Sequence, residues 1–464
     1  MQEYDVIVVG AGPGGYVCAI RAAQLGMKTA IVDREWLGGV CLNVGCIPSK
    51  ALLKNAEVAH TLRHRGSEFG FKIEGLELDY GAAVKRSRQV SDRLVKGVDF
   101  LMKKNNIDVH MGQAEFSDQN KLSISQADGT LELEAKNIVL ATGASSMVVP
   151  GVEIDGKQIL TYREAILQEG LPQSVVIVGA GPIGLEFATI WNDYGAKVTL
   201  VEMLPRIAPL EDEEVSQELA KILARKKIEI HTSTRVEKVE NHDGFVRIHT
   251  AGEQGSQILE SEQVLMAIGF RPNSQDLGLD VVGVDLSERD EIIIDDRMAT
   301  NSPGIWAIGD VTGKLMLAHV ASAMGIICAE NIANVASATL EYEMMPRAIY
   351  SHPQVASFGL SERAAQEHGF QIKVGRFPFI ANGKALGLGE REGWVKLIVD
   401  SRYGEILGAH MIGPEVTELL PELTLAQMME LTPAEIARNV HAHPSLSEVL
   451  MEAAHDAEGH AIHI

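Results

Sequence analysis

The sequence predicts an α/β protein in which one strand–helix–strand unit occurs twice and a separate α+β region follows. The first observation is an ungapped internal repeat, in which residues 5–33 line up with residues 174–202. The second is that the apolar runs at residues 6–9 and 175–178 are continuous, as in parallel strands covered on both faces. The third is an alternation of strand-like and helical runs after Met345.

Both copies of the repeat carry the same signals in the same order. Each has an apolar β-branched run, a glycine-rich turn, a helix of about twelve residues, a Gly stop and a second strand closed by an acid. The matching glycines are Gly10, Gly12, Gly15 and Gly26 in the first copy and Gly179, Gly181, Gly184 and Gly195 in the second. Asp33 closes the first copy and Glu202 the second, so each copy predicts a Rossmann-like βαβ unit.

The glycine-rich turns predict two dinucleotide sites. The first glycine allows a tight bend, the second lets the backbone approach a pyrophosphate, and the third permits close helix–strand packing. The phosphates would lie at the helix N-terminus, and the acid would accept a hydrogen bond from a ribose hydroxyl. Because a carboxylate repels the 2′-phosphate of NADP, Glu202 favours NAD at the second site. Arg206, four residues further on, leaves that preference open.

Composition excludes several classes of function. The 464 residues suggest about three domains, and 46% hydrophobic residues permit a large core. No uncharged apolar run reaches the roughly 18 residues of a membrane span. The net charge of −22 repels nucleic-acid phosphates and anionic lipids. We therefore expect neither nucleic-acid nor membrane binding.

The start of the chain and its cysteines indicate the cellular compartment in which the protein works. The start has no basic n-region, apolar h-region or cleavage site, so we expect a cytoplasmic protein. Four cysteines are too few for a disulfide scaffold. Cys18 and Cys328 fall in helical apolar stretches, which predicts buried core thiols.

Turn signals divide the remaining chain. They occur at residues 141–144, 302–304 and 345–346 and are candidate boundaries. After the last of them, strand-like runs at 394–399 and 406–411 alternate with helical periodicity at 415–431 and 446–457. These patterns predict a C-terminal α+β domain.

Cys41 and Cys46 form a close pair just after the first βαβ acid. Five residues of ideal helix rise about 7.5 Å, more than the roughly 4.4–6.8 Å between Cα atoms that a disulfide accepts, so a bridge requires a bent turn. Asn43 and Gly45 tolerate such a bend. The favoured interpretation is a redox-active dithiol, and the alternative is two buried free thiols. A zinc site would lack ligands, because no His lies nearer than His60.

The segment at residues 441–448 is a candidate acid–base site. His443 with Glu448 nearby would suit proton transfer to and from thiols. Ser445 and Glu448 also fit a helix capping box, which would explain the acid without catalysis. Five of the fifteen histidines lie in the last 24 positions, but their spacings fit no standard zinc pattern, so we expect no metal.

Taken together, these motifs closely resemble the dihydrolipoamide dehydrogenase family of flavoprotein disulfide reductases. The resemblance spans the whole chain. It rests on the two nucleotide motifs, GGVCLNVGCIPSK from Gly38, ATGA from Ala141, WAIGDV around Asp310, and HAHPSLSE from His441, together with AH at Ala318, SHP at Ser351 and FPFxAN from Phe377.

The resemblance implies FAD in the first Rossmann-like unit and NAD in the second. It predicts an FAD-binding domain at 1–148, an NAD-binding domain at 149–272, a central segment at 273–344 that completes the FAD region, and a dimerisation domain at 345–464. By similarity, Asp310 contacts the ribityl–phosphate region of FAD, and the backbone at Met316, Leu317 and Ala318 lies near the flavin. The other implied cofactor-binding residues are Gly10, Gly12, Gly14, Gly15, Asp33 and Gly143 for FAD and Gly179, Gly181, Gly184, Glu202 and Gly269 for NAD.

The resemblance also implies a reaction. Cys41 would exchange with substrate sulfur, Cys46 would face the flavin, and Lys50 would pair with Glu186, which could otherwise be a surface salt bridge. His443 and Glu448 would come from the partner subunit of a homodimer. The substrate would be dihydrolipoamide on a lipoyl-bearing protein of a 2-oxoacid dehydrogenase or glycine cleavage complex.

Two departures and several alternatives stay open. The chain has Ser445 where the family has Thr, which keeps a hydroxyl, and Phe270 where a basic residue is common, which leaves the NAD-side contact uncertain. Glutathione reductase would need basic residues after the second Rossmann strand, and mercuric reductase would need a C-terminal Cys pair. A mainly structural docking subunit of a multienzyme complex is the alternative from another class.

Overall fold

The computed structural model describes residues 2–253 and 255–463. Its N-terminal region is built on a seven-stranded sheet in the order β3-β2-β1-β6-β5-β4, with the seventh strand, from later in the chain, beside β6. The elements are β1 (Gln2–Val9), α1 (Pro13–Gln24), β2 (Thr29–Asp33), α2 (Gly39–Asn43), α3 (Cys46–His60), a π-helical turn (Thr61–Arg65), α4 (Tyr80–Lys104), β3 (Asp108–Met111), β4 (Gln113–Asp118), β5 (Lys121–Gln126), β6 (Gly129–Leu140) and β7 (Ala144–Ser146).

The middle region repeats the arrangement. A five-stranded parallel sheet, in the order β11-β10-β9-β15-β8, lies beside a three-stranded antiparallel sheet of β12, β13 and β14. The elements are β8 (Ile159–Leu160), α5 (Tyr162–Ala165), β9 (Ser174–Val178), α6 (Pro182–Tyr194), β10 (Lys197–Val201), α7 (Glu213–Arg225), β11 (Glu229–His231), β12 (Thr234–His242), β13 (Phe245–Gly252), β14 (Gly255–Ser261), β15 (Gln263–Met266) and β16 (Phe270–Pro272). β16 returns to pair with β7.

The next segment rejoins the first sheet. Its elements are α8 (Leu279–Val282), β17 (Ile305–Ala307), a 3₁₀ turn (Gly309–Thr312), α9 (Ala318–Ile332) and a second 3₁₀ turn (Tyr342–Met344). β17 is the seventh strand and runs parallel to β6. The turn at residues 302–304, predicted as a boundary, lies directly before β17 inside this segment and separates no two regions.

The C-terminal region is an antiparallel sheet in the order β18-β19-β22-β21-β20 with helices against it. The elements are β18 (Arg347–Ile349), β19 (Gln354–Gly359), α10 (Glu362–Glu367), β20 (Ile372–Pro378), a 3₁₀ turn (Phe379–Ala381), α11 (Gly383–Leu388), β21 (Trp394–Asp400), β22 (Ile406–Gly413), α12 (Val416–Met428), α13 (Pro433–Arg438) and α14 (Glu448–Ala457). The predicted α/β class with a C-terminal α+β region is confirmed. The exact domain boundaries stay a prediction.

The two copies of the repeat have equivalent registers. β1 pairs in parallel with β2 and β6, and β9 pairs in parallel with β10 and β15. The apolar residues 6–9 and 175–178 are at most 5% exposed, because neighbouring elements cover both faces of each sheet. This burial explains why the runs are continuous rather than alternating.

The glycine-rich turns are shaped by close backbone approaches. Gly10 and Gly179 have φ angles of 106° and 103°, which favour glycine. A Cβ atom on Gly15 would lie 1.8 Å from the Gly10 carbonyl oxygen, and one on Gly184 would lie 2.0 Å from that of Gly179. The third glycine of each motif therefore brings the helix against the turn, as predicted.

α1 and α9 cross at a contact made of small residues. A Cβ on Gly325 would lie 2.5 Å from the Gly14 carbonyl oxygen, so only glycine permits this approach. Cys18 and Cys328 lie fully buried in the same interface, and the prediction of core thiols is confirmed. Within the described residues, no helix is both long and apolar enough to cross a membrane.

Gly15→Ala is expected to destabilise the protein, because its Cβ would overlap the Gly10 carbonyl and force the turn or the helix to move. Overpacking of this kind costs about 1–3 kcal/mol or more. Gly97→Ala on α4 is the matched control, because its Cβ would meet nothing within 4 Å and alanine favours the helix by about 0.5–1 kcal/mol. Urea unfolding midpoints check both, and equal midpoints for the two variants would contradict the packing argument.

Candidate active site

One large cavity joins the two nucleotide motifs. Its volume is about 1040 Å³, at the upper end for ligand sites. Most of the predicted site residues line it: Gly10, Gly12, Gly14, Asp33, Cys41, Cys46, Lys50, Gly143, Gly179, Gly181, Glu186, Glu202, Gly269, Asp310, Met316, Leu317 and Ala318. Gly15 and Gly184 lie behind the turns instead, and His443 and Glu448 are not among the lining residues.

The two acids that close the repeats brace the glycine-rich turns. Asp33 accepts a hydrogen bond from the Ala11 N–H at 2.6 Å, and Glu202 accepts one from the Ala180 N–H at 2.7 Å. These N–H groups follow the first glycine of each motif, so the contact is the same in both copies. Each carboxylate also binds backbone N–H groups of the residues just after it. The acids therefore shape the turns and remain at the cavity wall.

The cysteine pair spans a break between two helices. Cys41 lies in α2 and Cys46 is the first residue of α3. The chain bends at Val44 and Gly45, and a Cβ on Gly45 would lie 2.9 Å from the Val40 carbonyl oxygen. Gly45 therefore permits the bend by close approach.

The prediction that Asn43 supplies part of this bend is wrong. Asn43 stays within α2, and its amide donates to the backbone carbonyls of Leu37 and Gly39 at 3.0 and 2.9 Å. These bonds hold the short helix closed on the preceding loop. Gly39, at φ 58°, packs there against the backbone of Gly12, where a Cβ would lie 2.6 Å from the Gly12 Cα.

Cys41 and Cys46 are two free thiols in hydrogen-bond contact. The hydrogen bond from Cys41 lowers the pKa of Cys46, burial opposes this, and the charge of Lys50 adds to the lowering. The same hydrogen bond and burial raise the pKa of Cys41. Of the two thiols, Cys46 is therefore the one more readily ionised, and its place at the N-terminus of the 15-residue helix α3 favours a negative charge there.

Lys50 connects the cysteine helix to the middle region. Its ammonium lies 2.9 Å from both carboxylate oxygens of Glu186 and 4.5 Å from the centre of the Tyr350 ring. Burial lowers the pKa of Lys50, but the charge and hydrogen bonds of Glu186 outweigh it and raise the pKa overall. The Glu186 side chain is 7% exposed, so the alternative of a surface salt bridge is wrong.

Asp310 and the start of α9 form another wall of the cavity. Burial raises the pKa of Asp310 to about 6, so its carboxylate lacks the solvation it would have in water. Met316, Leu317 and Ala318 lead into the N-terminus of α9, a 15-residue helix whose first N–H groups face outward along its axis. A hydrogen-bond donor entering the cavity would stabilise Asp310 in its charged form.

His443 and Glu448 form a pair outside this cavity. His443 Nδ1 lies 2.8 Å from Glu448 Oε1, and the His443 side chain is 80% exposed. The other oxygen, Oε2, accepts the Ser445 N–H at 2.7 Å. The predicted capping box is wrong, because α14 begins at Glu448 with Ser447 as its N-cap and the Ser445 hydroxyl contacts the Ser447 hydroxyl instead of a helix N–H. Glu448 nevertheless binds the Ser445 N–H and the histidine at the same time. Burial raises the pKa of Glu448, but the bonds from Ser445 and His443 outweigh this and lower it.

The histidines near the C-terminus fold back on α14. His463 Nδ1 lies 2.6 Å from Glu452 Oε1, and the ring centres of His455 and His460 are 5.1 Å apart. Glu452 is 3% exposed and also accepts backbone N–H groups from Ile462 and His463. Across the part of the chain that the structure describes, no group of three or more candidate ligands is arranged to hold a metal ion.

Two family models match this chain and show which protein family it belongs to. A model described as "Pyridine nucleotide-disulphide oxidoreductase" matches residues 4–325, and one described as its dimerisation domain matches residues 345–454. The chain belongs to the pyridine nucleotide-disulphide oxidoreductase family. It is therefore an oxidoreductase of a family that uses FAD and NAD, and the match to a dimerisation domain supports the expected homodimer.

Individual relatives agree with the family over the whole chain. The chain is 50% identical to the dihydrolipoyl dehydrogenase of Mycobacterium leprae, with 100% of both chains covered, and 47% identical to that of Corynebacterium glutamicum, with 99% of both covered. Among solved structures, LpdA of Mycobacterium tuberculosis has a TM-score of 0.91 at 26% identity, covering 98% of this chain and 99% of that one. The Cu(II) complex of the flavoprotein disulfide reductase RclA of Escherichia coli has a TM-score of 0.88 at 27% identity, with the same coverage.

The cavity fits the cofactors of this oxidoreductase family. A Cβ on Gly12 or on Gly181 would meet nothing within 4 Å, so both glycine-rich turns leave open space beside the backbone. Each turn leads into a helix of at least twelve residues that begins with a proline. The N–H that proline lacks would be unpaired at this position anyway, and the fixed φ angle of proline favours the start of the helix. Two such cradles in one cavity suit two pyrophosphates.

Some contributors to the site carried no signal in the sequence. The Tyr350 N–H donates to Glu186 Oε1 at 3.1 Å, so the C-terminal region orients the ion pair. Tyr350 directly precedes the SHP motif at residues 351–353 but carries no motif of its own. Glu35 and Arg163 form an ion pair at the cavity wall that links the first and middle regions. Neither contact follows from spacing, because each joins residues more than a hundred positions apart.

Two substitutions are expected to move the pKa of Cys46 in opposite directions. Lys50→Met removes a nearby positive charge and should raise it, and Glu186→Gln removes an opposing negative charge and should lower it. The pH dependence of Cys46 alkylation by iodoacetamide in the reduced protein, followed by peptide mass spectrometry, measures both. Lys54→Met, exposed one turn further along α3, is the control and should leave the midpoint in place. Shifts of the same sign in both variants would contradict the assignment.

Proposed function

We propose that this oxidoreductase oxidises protein-bound dihydrolipoamide to lipoamide with NAD⁺ as acceptor, through a reversible disulfide between Cys41 and Cys46. The observation that carries the proposal is the Cys41–Cys46 thiol pair on the wall of a cavity shared by both glycine-rich turns. Relatives named dihydrolipoyl dehydrogenase, 42–50% identical over 99–100% of this chain, support the substrate class.

The sulfur chemistry follows from the positions of the two thiols. A substrate thiolate attacks the Cys41 sulfur of the oxidised pair, the Cys41–Cys46 bond breaks, and Cys46 leaves as a thiolate. Lys50 and the α3 N-terminus stabilise that leaving group. The second substrate thiolate then attacks the substrate sulfur bound to Cys41, which releases the cyclic disulfide and leaves both enzyme cysteines reduced. Bound FAD supplies the two-electron carrier between this dithiol and NAD⁺.

The proposed base is His443 of the partner subunit. Glu448 only accepts hydrogen bonds, so the proton of a neutral His443 ring lies on Nδ1, and Nε2 presents a lone pair. With its side chain 80% exposed, the ring is open to a substrate thiol brought by a second copy. Nε2 would take the proton of the first substrate thiol, and Glu448 would stabilise the resulting imidazolium.

Contacts around Glu202 support NAD rather than NADP. In the resemblance, an acid in the place of Glu202 accepts a hydrogen bond from a ribose hydroxyl and repels a 2′-phosphate. Arg206, which left this preference open in the sequence, is engaged elsewhere: it lies 2.8 Å from Glu213 and donates to the Pro209 carbonyl at 3.1 Å. It is therefore not free to bind a phosphate beside Glu202.

We also propose a lipoyl-bearing protein of a 2-oxoacid dehydrogenase or glycine cleavage complex as partner, and a cytoplasmic location. A lipoyl group on a flexible lysine suits a dithiol reached from outside the chain. The cysteine count supports the location, because four cysteines in 464 residues are too few for the disulfide scaffold of a secreted protein.

His443→Gln is expected to keep bound flavin and lose lipoamide turnover by about 10²- to 10⁴-fold, because glutamine cannot take the thiol proton. The measurement is NAD⁺ reduction with free dihydrolipoamide, alongside the visible absorbance of bound flavin. His368→Gln, an exposed histidine after α10, is the matched control. If His443→Gln turned over dihydrolipoamide like the unmodified protein, the acid–base role would be lost, and no turnover in the unmodified protein would refute the reaction.

Glu202→Ala and Asp33→Ala are expected to separate the two nucleotide sites. Each removes hydrogen bonds between a charged acceptor and its own glycine-rich turn, bonds worth about 1.5–3 kcal/mol each. Glu202→Ala should raise the KM for NAD⁺ at least tenfold and keep FAD, and Asp33→Ala should lower FAD retention. Flavin absorbance after gel filtration and steady-state kinetics measure both. Equal loss of both cofactors in each variant would argue against separate sites.

A further inference from the structure

His441, two residues before His443, is fixed in the structure in a way that His443 is not. Its side chain is 4% exposed, against 80% for His443. Its Nε2 lies 2.9 and 3.2 Å from the two carboxylate oxygens of Glu422 on α12. Its Nδ1 lies 2.9 Å from the carbonyl oxygen of Asn439, at the end of α13. Both ring nitrogens are therefore engaged.

These two contacts define the chemistry of the His441 ring. A carboxylate and a carbonyl only accept hydrogen bonds, so each ring nitrogen must donate to satisfy both. Only the imidazolium carries a proton on both nitrogens, and Glu422 supplies the matching negative charge. A ring that donates from both nitrogens has no lone pair with which to take a proton from a substrate. His441 is thus not itself a base in this arrangement.

The loop that carries His443 is anchored on both sides. Before it, His441 binds Glu422, and the Asn439 amide donates to the same carboxylate at 3.2 Å. After it, the Ser445 N–H binds Glu448, and the Ser445 carbonyl accepts from the Asn382 amide at 3.0 Å. The exposed His443 ring projects from the short stretch between these anchors. Its direction therefore depends on both.

We propose that His441, clamped by Glu422, is a positioning residue that orients His443. The proposal rests on the function proposed above for His443. On the other side of the loop, the Glu448 carboxylate binds both the His443 ring and the Ser445 N–H, so both anchors fix where the His443 ring lies. The charged groups around the ring are Glu422 on α12, Glu448 at the start of α14, and His443 on the same loop.

The test uses the full-length protein with bound flavin and the variants His441→Gln, Glu422→Gln and the double variant. We expect the kcat for dihydrolipoamide to fall about 10- to 100-fold in each single variant, because misplacing a reacting group by about 1 Å costs up to 10²-fold. The KM for NAD⁺ should stay within twofold. NADH oxidation by an artificial one-electron acceptor, which needs neither the dithiol nor His443, should also stay within twofold. The kcat of the double variant should be no lower than that of either single variant, because each single substitution already removes the same interaction between His441 and Glu422.

A pH profile separates positioning from mere structural support. If His441 no longer holds the loop, the His443 ring is less well placed against Glu448, and its protonated form loses part of that stabilisation. The acid limb of kcat/KM for dihydrolipoamide should therefore move to lower pH in His441→Gln. His368→Gln is again the control and should leave the profile in place.

Three outcomes would overturn the proposal. Dihydrolipoamide turnover within twofold of the unmodified protein in both single variants, with His443→Gln inactive, would refute the positioning role and leave the proposed function standing. Parallel loss of both activities, or of the dimer on size-exclusion chromatography, in both single variants would make the pair purely structural. A lowered kcat with an unmoved acid limb would show that the contact between His443 and Glu448 does not depend on His441, which contradicts the orienting role. Failure of the proposed function would show differently, as no dihydrolipoamide turnover in the unmodified protein.

Discussion

The ion pair between Lys50 and Glu186 joins the helix that carries Cys46 to the helix of the second nucleotide motif. Lys50 lies one helical turn after Cys46 on α3, and Glu186 follows the second glycine-rich turn on α6, so one contact fixes the thiols relative to the second nucleotide motif. The Tyr350 N–H ties the C-terminal region to the same carboxylate. Because Glu186 is buried, losing its partner would leave an uncompensated charge, a cost on the order of 3–5 kcal/mol.

An acidic protein can still present a site for anions, because local geometry differs from the overall charge. The net charge of −22 opposes polyphosphate binding at long range, but the glycine-rich turns and helix N-termini offer N–H groups at short range. Asp33 and Glu202 accept N–H groups that follow the first glycine, which shapes each turn without needing a cation. Lys50 is the cation placed near the thiols. Local geometry, rather than overall charge, decides what the cavity can bind.

Features set by short-range patterns were predictable from the sequence, and features set by long-range contacts were not. The two βαβ units, the core thiols and the C-terminal α+β region follow from glycine spacing and periodicity. The role predicted for Asn43 was wrong, because an Asn that binds backbone carbonyls of its own helix and of the loop before it looks in sequence like an Asn that ends a helix. Tyr350 and Glu422 were missed, because each acts on a partner from another element and carries no motif of its own. The resemblance to a known family supplied the roles that spacing alone could not.

Within a single chain, the dithiol and the acid–base pair of the proposed reaction do not lie in the same site. The cavity carries the dithiol, and His443 and Glu448 lie on a different surface of the same chain. Proton transfer needs the base within about 3 Å of the substrate thiol or one water away, so in the proposed reaction a second copy would bring its histidine to this cavity. Val440, which directly precedes His441, is 93% exposed and is suited to burial against a partner. Burial of this surface and completion of the site would then be one event, so that the stability of the dimer sets the number of working sites.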